Sequence, residues 1–208
     1  MAEVITDGCI WLRGFLSLED QLELAEYINH RDRTPVNKPR PIDPKPRTLI
    51  LGDDGRPSLS YAFGEISVVN RMVERCNEHL KSQDLHVLGG IDVTRYSAIK
   101  MATISYEAPN GSFPPHVDHC NNSIVYLASL GQTANFTIKS PSMADVRRLK
   151  FRSGDILIFD AGSDASILHS VVSIDEAAPN SPTGELAKRF PVFRNHRYGV
   201  QCRVFRER

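Results

Sequence analysis

His116-Val117-Asp118 places an imidazole and a carboxylate two residues apart. In an extended segment, residues i and i+2 point to the same side, so both side chains can meet one ion. The pair alone is weak, and a third ligand has to come from a neighbouring strand. His169 offers one, fifty-one residues after Asp118, inside the otherwise apolar run Ile167-Leu168-His169-Ser170-Val171-Val172. Taken singly, a histidine in such a strand is more often a hydrogen-bonded core residue than a ligand; the combination shifts the odds. Two imidazoles and a carboxylate on one face form the triad of non-haem iron(II) oxygenases, with positions left for substrate and O2. Zinc takes the same three ligands in hydrolytic sites, so the metal alone leaves the reaction open. Arg197 and Arg203 add a second element. They lie an even number of residues apart, so on a regular strand they share a face. A guanidinium fork binds carboxylate through two hydrogen bonds, and a dicarboxylate with one end on the metal would satisfy both arginines.

These residues need strands to hold them. From about residue 94 the pattern becomes short, β-branched segments at 101–106, 123–130, 134–139, 148–152, 156–159, 167–174 and 198–205. Turn signals such as Pro109-Asn110-Gly111 and Gly154-Asp155 separate them. This predicts an antiparallel barrel or sandwich. Upstream, Cys9 to Leu12 reads as an apolar strand. Ser17 and Asp20 form a capping box for a first amphipathic helix running to about Asn29, and a second helix is expected from about Gly64 to Lys81. The stretch 175–196 has Pro179, Pro182 and Gly184 without a clear period and reads as a long loop.

Residues 31–47 differ from both flanks. Arg31, Arg33, Lys38, Arg40, Lys45 and Arg47 stand against Asp32 and Asp43, six cations to two carboxylates, and five prolines favour stiff, extended backbone. A solvated linker and a basic loop that meets an anionic polymer are the two readings. Tyr61 and Phe63 follow, suited to helix-entry packing or to stacking on a base.

Composition sets the outer bounds. The chain has 208 residues with 25 basic and 25 acidic side chains, so any nucleic-acid contact must come from local clustering of charge. Its 41% hydrophobic content is that of a globular domain. A single domain over 1–208 is expected, with 1–90 as an N-terminal extension and 91–208 as the core. Cys9, Cys76, Cys120 and Cys202 form no C-x-x-C pair, which fits neither a zinc cage nor a disulfide framework. No secretory signal is apparent, and no apolar run nears the ~18 residues of a membrane span. An intracellular monomer, cytoplasmic or nuclear, with no membrane association is the expectation.

In order and spacing, the motifs resemble AlkB-type Fe(II)/2-oxoglutarate-dependent dioxygenases. The resemblance rests on His116-Val117-Asp118, His169 and Arg197-Tyr198-Gly199-Val200-Gln201-Cys202-Arg203. It extends to Ile104-Ser105-Tyr106 with the turn through Gly111, to Ser123–Gly131, to Ala134-Asn135-Phe136 and to Arg152–Leu157. It implies a double-stranded β-helix (jelly-roll) core of the α+β class, with helices packed on one side. His116, Asp118 and His169 would bind Fe(II). Arg197, helped by the Tyr106 hydroxyl, would take the far carboxylate of 2-oxoglutarate, and Arg203 would lie near the metal-bound end. The activity implied is oxidative dealkylation of N-alkylated bases in DNA or RNA, using O2 and releasing formaldehyde, succinate and CO2. Segment 31–47, with Arg31, Arg33, Lys38 and Arg40, corresponds in position to the family's nucleotide-recognition lid. Tyr61, His119 and Cys120 are further candidates for substrate contact. The pattern departs from the family at Ile104 and Gly199, where asparagines are usual, and at Cys120, where the prototype has an acidic residue. Those departures motivate an alternative, a 2-oxoglutarate-dependent hydroxylase of a protein side chain or small molecule, and a catalytically silent binding protein is the third reading.

Overall fold

The computed structural model describes residues 2–33, 58–63, 67–95, 98–175 and 183–205. Two antiparallel sheets share one apolar interior. The larger runs in the order β1 (Ala2–Thr6), β2 (Cys9–Leu12), β11 (Ile156–Asp160), β8 (Ser123–Gly131), β13 (His196–Phe205), β6 (Ala98–Glu107) and β3 (Ser58–Phe63). The smaller runs β10 (Arg147–Phe151), β9 (Ala134–Lys139), β12 (Leu168–Ile174) and β7 (Phe113–His116). A short ladder of β4 (Val87–Leu88) and β5 (Ile91–Asp92) stands apart. This is the expected jelly-roll with helices on one side.

The period-2 pattern decides which face each residue takes. On β9, Ala134, Phe136 and Ile138 are buried, while Asn135, Thr137 and Lys139 are half-exposed. They join Val125, Leu127, Leu157, Phe159, Trp11 and Phe151 in the core between the sheets. The larger sheet is covered on both sides, so β8 is buried at every position. Its other face, through Tyr126, Ala128, Ile156, Val200 and Val204, packs on α1 (Leu18–Arg33) and α2 (Ser67–Ser82). Leu24 and Ile28 from α1, with Val69, Val73, Cys76 and Leu80 from α2, supply the apolar stripes. The capping box forms: the Asp20 amide donates to Ser17 Oγ at 3.1 Å and the Ser17 amide to Asp20 Oδ2 at 2.9 Å. All four cysteines are free thiols. Among the described residues, no helix is long and apolar enough to cross a membrane.

Several boundaries differ from expectation. Helix α1 continues to Arg33, so Arg31 and Arg33 belong to its last turn and not to an extended segment. Ser58–Phe63 is an edge strand and not a helix entry; the small–large alternation Ser-Leu-Ser-Tyr-Ala-Phe carries that signal. The long loop of 175–196 contains α3 (Thr183–Arg189) and a 3-10 turn at Pro191–Arg194. Leu186, Phe190 and Phe193 are buried in the helix-side core; packing, more than periodicity, sets this segment. Ala2–Thr6 and Phe113–His116 are also strands.

Candidate active site

Strands β7 and β12 pair antiparallel with His116 directly opposite His169, and the two ring centroids are 4.2 Å apart. The chain leaves the strand after His116 and brings Asp118 back to the same point. The donor atoms of His116, Asp118 and His169 all lie within 4.8 Å of one another. Asp118 Oδ1 is 3.5 Å from His116 Nε2 and 3.7 Å from His169 Nε2.

Both imidazoles are oriented by the same device. His116 Nδ1 donates to the Pro114 carbonyl at 2.9 Å, and His169 Nδ1 donates to the Ile167 carbonyl at 3.0 Å. With each Nδ1 so engaged, each Nε2 turns its lone pair to the common centre, as a metal-binding histidine requires. Phe113 lies 4.4 Å from the His116 ring and Phe159 4.8 Å from that of His169, which limits rotation of both.

Electrostatics distinguish the two histidines. Burial pulls His169 below the ordinary histidine value, with Asp118 opposing. For His116, burial also pulls down, but the Asp118 carboxylate and the Pro114 carbonyl outweigh it and the group stands above its ordinary value. Asp118 is pushed up by burial, yet His116, His169 and Arg203 together hold it below the usual carboxylate range. Two neutralisable imidazoles and an anionic carboxylate converging on one point suit a divalent transition metal. The residues present therefore fit Fe(II).

Strand β13 brings the arginines. Arg197, Gly199, Gln201 and Arg203 alternate with Tyr198, Val200, Cys202 and Val204, the latter packed on the helix side. Arg197 is 1% exposed. Its Nε donates to Ser129 Oγ at 3.2 Å, and its guanidinium carbon sits 5.1 Å from the Tyr106 ring and 5.3 Å from that of Phe151. Among the described residues its buried Nη2 has no hydrogen-bond partner. Burial pulls the Arg197 cation below its ordinary value and pushes the Tyr106 hydroxyl up to about 12. A buried cation with an unmet donor is costly unless an anion meets it, so the geometry fits one carboxylate of a dicarboxylic co-substrate. Gly199 makes room here: a Cβ at that position would lie 3.2 Å from Arg197 Nη1.

Arg203 approaches the metal end through a ligand. Its Nη2 donates to Asp118 Oδ2 at 2.5 Å, and Gln201 Nε2 donates to the same oxygen at 2.9 Å. Sequence reasoning missed Gln201. The available signal was parity, since Gln201 has the same even spacing as the two arginines that frame it.

His119, directly after Asp118, is exposed with a left-handed backbone at φ 51°. Its Nδ1 lies 3.2 Å from Ser163 Oγ. The Cys120 amide donates to the Ala161 carbonyl at 2.7 Å, and the Ser163 amide to Asn121 Oδ1 at 2.8 Å. These bonds tie the loop after Asp118 to the loop that leads into His169. Tyr61 is aligned with Ala102 across the sheet, and Ala102 with Gln201, so Tyr61 occupies the same sheet row as Gln201. Arg31 and Arg33 are on α1, while Lys38, Arg40 and the rest of the basic segment lie outside the described residues.

Solved structures share this architecture. OsALKBH1, an AlkB homologue, superposes with a TM-score of 0.63 at 19% identity, over 100% of each chain. A prolyl-4-hydroxylase from Pseudomonas putida gives 0.56 at 12% identity, over 97% of this chain and 94% of that one. A prolyl hydroxylase from Trichoplax adhaerens, in complex with a peptide fragment of the hypoxia-inducible-factor oxygen degradation domain, gives 0.58 at 12% identity, over 96% and 84%. No protein-family model and no curated protein matches the sequence. At these identities the likeness establishes the fold: a jelly-roll shared by an AlkB homologue and prolyl hydroxylases, carrying in this chain a His–Asp–His cluster between its sheets.

Proposed function

We propose that this chain is an Fe(II)- and 2-oxoglutarate-dependent dioxygenase that oxidatively dealkylates N-alkylated bases in DNA or RNA. The observation that carries the dioxygenase reading is the buried, unpartnered Arg197 Nη2 on the strand whose Gln201 and Arg203 grip the Asp118 carboxylate. A metal site alone would leave that cation without a purpose. When bound, Fe(II) with 2-oxoglutarate and O2 would supply hydroxylation of a C–H bond, with succinate and CO2 as co-products. His116, Asp118 and His169 would hold the metal. Arg197, with the Tyr106 hydroxyl beside it, would fix the far carboxylate of 2-oxoglutarate. Hydroxylation at an N-methyl carbon gives a hemiaminal that breaks down to formaldehyde and the free base.

The nucleic-acid part rests on the resemblance and on the basic run 31–47, and is supported by His119 and Cys120 following Asp118 in the chain and by the register of Tyr61 with Ala102 and Gln201. A base in a duplex would have to leave the stack to reach the metal. The second reading, a hydroxylase of a protein side chain or small molecule, draws on Cys120 standing where an acidic base contact is expected.

The test is anaerobic titration of the metal-free protein with Fe(II) and then 2-oxoglutarate, following the visible charge-transfer band. A band that disappears in His169→Ala and in Arg197→Ala is the expected result; bound metal with no band overturns the dioxygenase reading. Formaldehyde release from N-methylated oligonucleotides then tests the substrate. Charge reversal at Arg31, Arg33, Lys38 and Arg40 should weaken oligonucleotide binding and flatten its salt dependence. Unchanged turnover would remove the lid assignment and favour the second reading.

A further inference from the structure

We propose that Gln201 is a positioning residue which, together with Arg203, confines Asp118 to a single metal-facing oxygen. This rests on the metal reading above. A carboxylate has two equivalent oxygens with about four acceptor sites between them, and it can ligate through one oxygen or both. Here the two are not equivalent. Oδ2 accepts from Gln201 Nε2 at 2.9 Å and from Arg203 Nη2 at 2.5 Å, while Oδ1 faces the Nε2 atoms of both histidines.

The two donors stand at alternate positions of β13, which is paired along its length with β6 on one side and β8 on the other. Their spacing is thus set by a central strand and not by a loop. They also divide the task. Arg203 brings charge from a side chain that is 21% exposed. Gln201 adds a directed donor without further charge, so Asp118 keeps its anionic character for the metal. The sheet neighbours of Gln201 are Ala102 and Leu127. In that apolar row a methionine or leucine would pack without desolvating an amide, so the glutamine has a cost that its bond to Asp118 offsets. Ligation through both Asp118 oxygens would occupy one more position at the metal and leave fewer for co-substrate and O2.

The experiment is Co(II) titration of the metal-free full chain, read by visible absorption, for the wild type, Gln201→Met and Val204→Ala. Val204 lies on the opposite, helix-packed face of the same strand, so its truncation controls for lost stability. Gln201→Met is expected to bind Co(II) about 10- to 100-fold more weakly, with an altered band pattern from the changed carboxylate. Val204→Ala should keep wild-type affinity and spectrum. Gln201→Met with affinity within threefold of wild type and an unchanged spectrum overturns the proposal. Should that variant fail to fold, a crystal structure of the Mn(II)-loaded wild type decides. Asp118 ligating through one oxygen with Gln201 on the other supports it; ligation through both oxygens, or Gln201 turned away, overturns it. A His169→Ala protein that binds Co(II) as well as wild type sinks the metal reading itself, a result distinct from failure at Gln201 alone.

Discussion

At the metal end of the pocket, each of the three ligands has hydrogen-bond partners before any ion arrives. At the arginine end, one guanidinium nitrogen has none among the described residues. The metal end is oriented by contacts from β7, from Ile167 just before β12 and from β13, all within the protein. The arginine end holds a buried charge whose natural partner has to come from outside. The first arrangement is preorganised and nearly neutral in net demand; the second stores an unmet electrostatic requirement. One end is therefore expected to lose binding without much change in fold stability, while at the other the two should move in opposite directions.

The largest effect belongs to the metal end. His169→Ala removes one of three ligands and should reduce Fe(II) or Co(II) binding to the level of adventitious sites, measured by equilibrium titration. Retained stoichiometric binding would show that the cluster is not the metal centre. Next comes Arg197→Met. Truncating one partner of a buried charge pair costs about 2–5 kcal/mol, so 2-oxoglutarate affinity should fall roughly thirty- to several-thousand-fold. The ligand-free variant should melt at or above the wild-type temperature, because an unpaired buried cation has been replaced by an apolar chain. A lower melting temperature together with intact co-substrate binding would reverse the roles assigned to the two ends.

A substitution remote from both ends sharpens the contrast. Leu130 is fully buried on the helix-facing side of β8. Leu130→Ala should lower unfolding free energy by about 2–5 kcal/mol, measured by urea denaturation, with metal and 2-oxoglutarate affinities unchanged in the folded fraction. Loss of either affinity would mean that the helix layer, and not only the inner face, sets pocket geometry.

How much of this was legible in the sequence follows the same division. The arginines were readable because strand parity is rigid: an even separation of Arg197 and Arg203 on one strand survives any detail of packing, whereas Asp118 lies past the end of β7 and meets His116 through the path of the chain there and not through strand alternation. The strands around them were readable to within a few residues for the same reason. Gln201 was not, since a glutamine between two arginines carries no distinctive chemistry until its amide is seen on Asp118. Nor was the helix at Thr183–Arg189, whose order comes from burying Leu186 and, just beyond it, Phe190 against distant elements, a tertiary effect with no local period. Ser58–Phe63 had the right alternation but stood beside a proline-rich run that masked it.

The smallest expected effect separates the two histidines. In the metal-free protein His116 stands above its ordinary value and His169 below it. The stability contributed by His116 is present below the unfolded-state value, about 6.5, and is lost as pH rises through its raised folded value. That contributed by His169 is present above the unfolded value and is lost as pH falls through its lowered folded value. The two windows adjoin at the ordinary value and have opposite slopes, so metal-free stability from these groups should peak there, falling below it through His169 and above it through His116. Metal binding follows a different rule, because both imidazoles must be neutral. Only His116 then carries a proton to displace, and Asp118, held low, contributes nothing in this range. Co(II) affinity should thus fall by about tenfold per pH unit below the His116 value, the slope of one proton. A two-proton slope in the same interval would show that His169 is not held neutral by its burial, and the asymmetry drawn between the half-open and the buried ligand would fail.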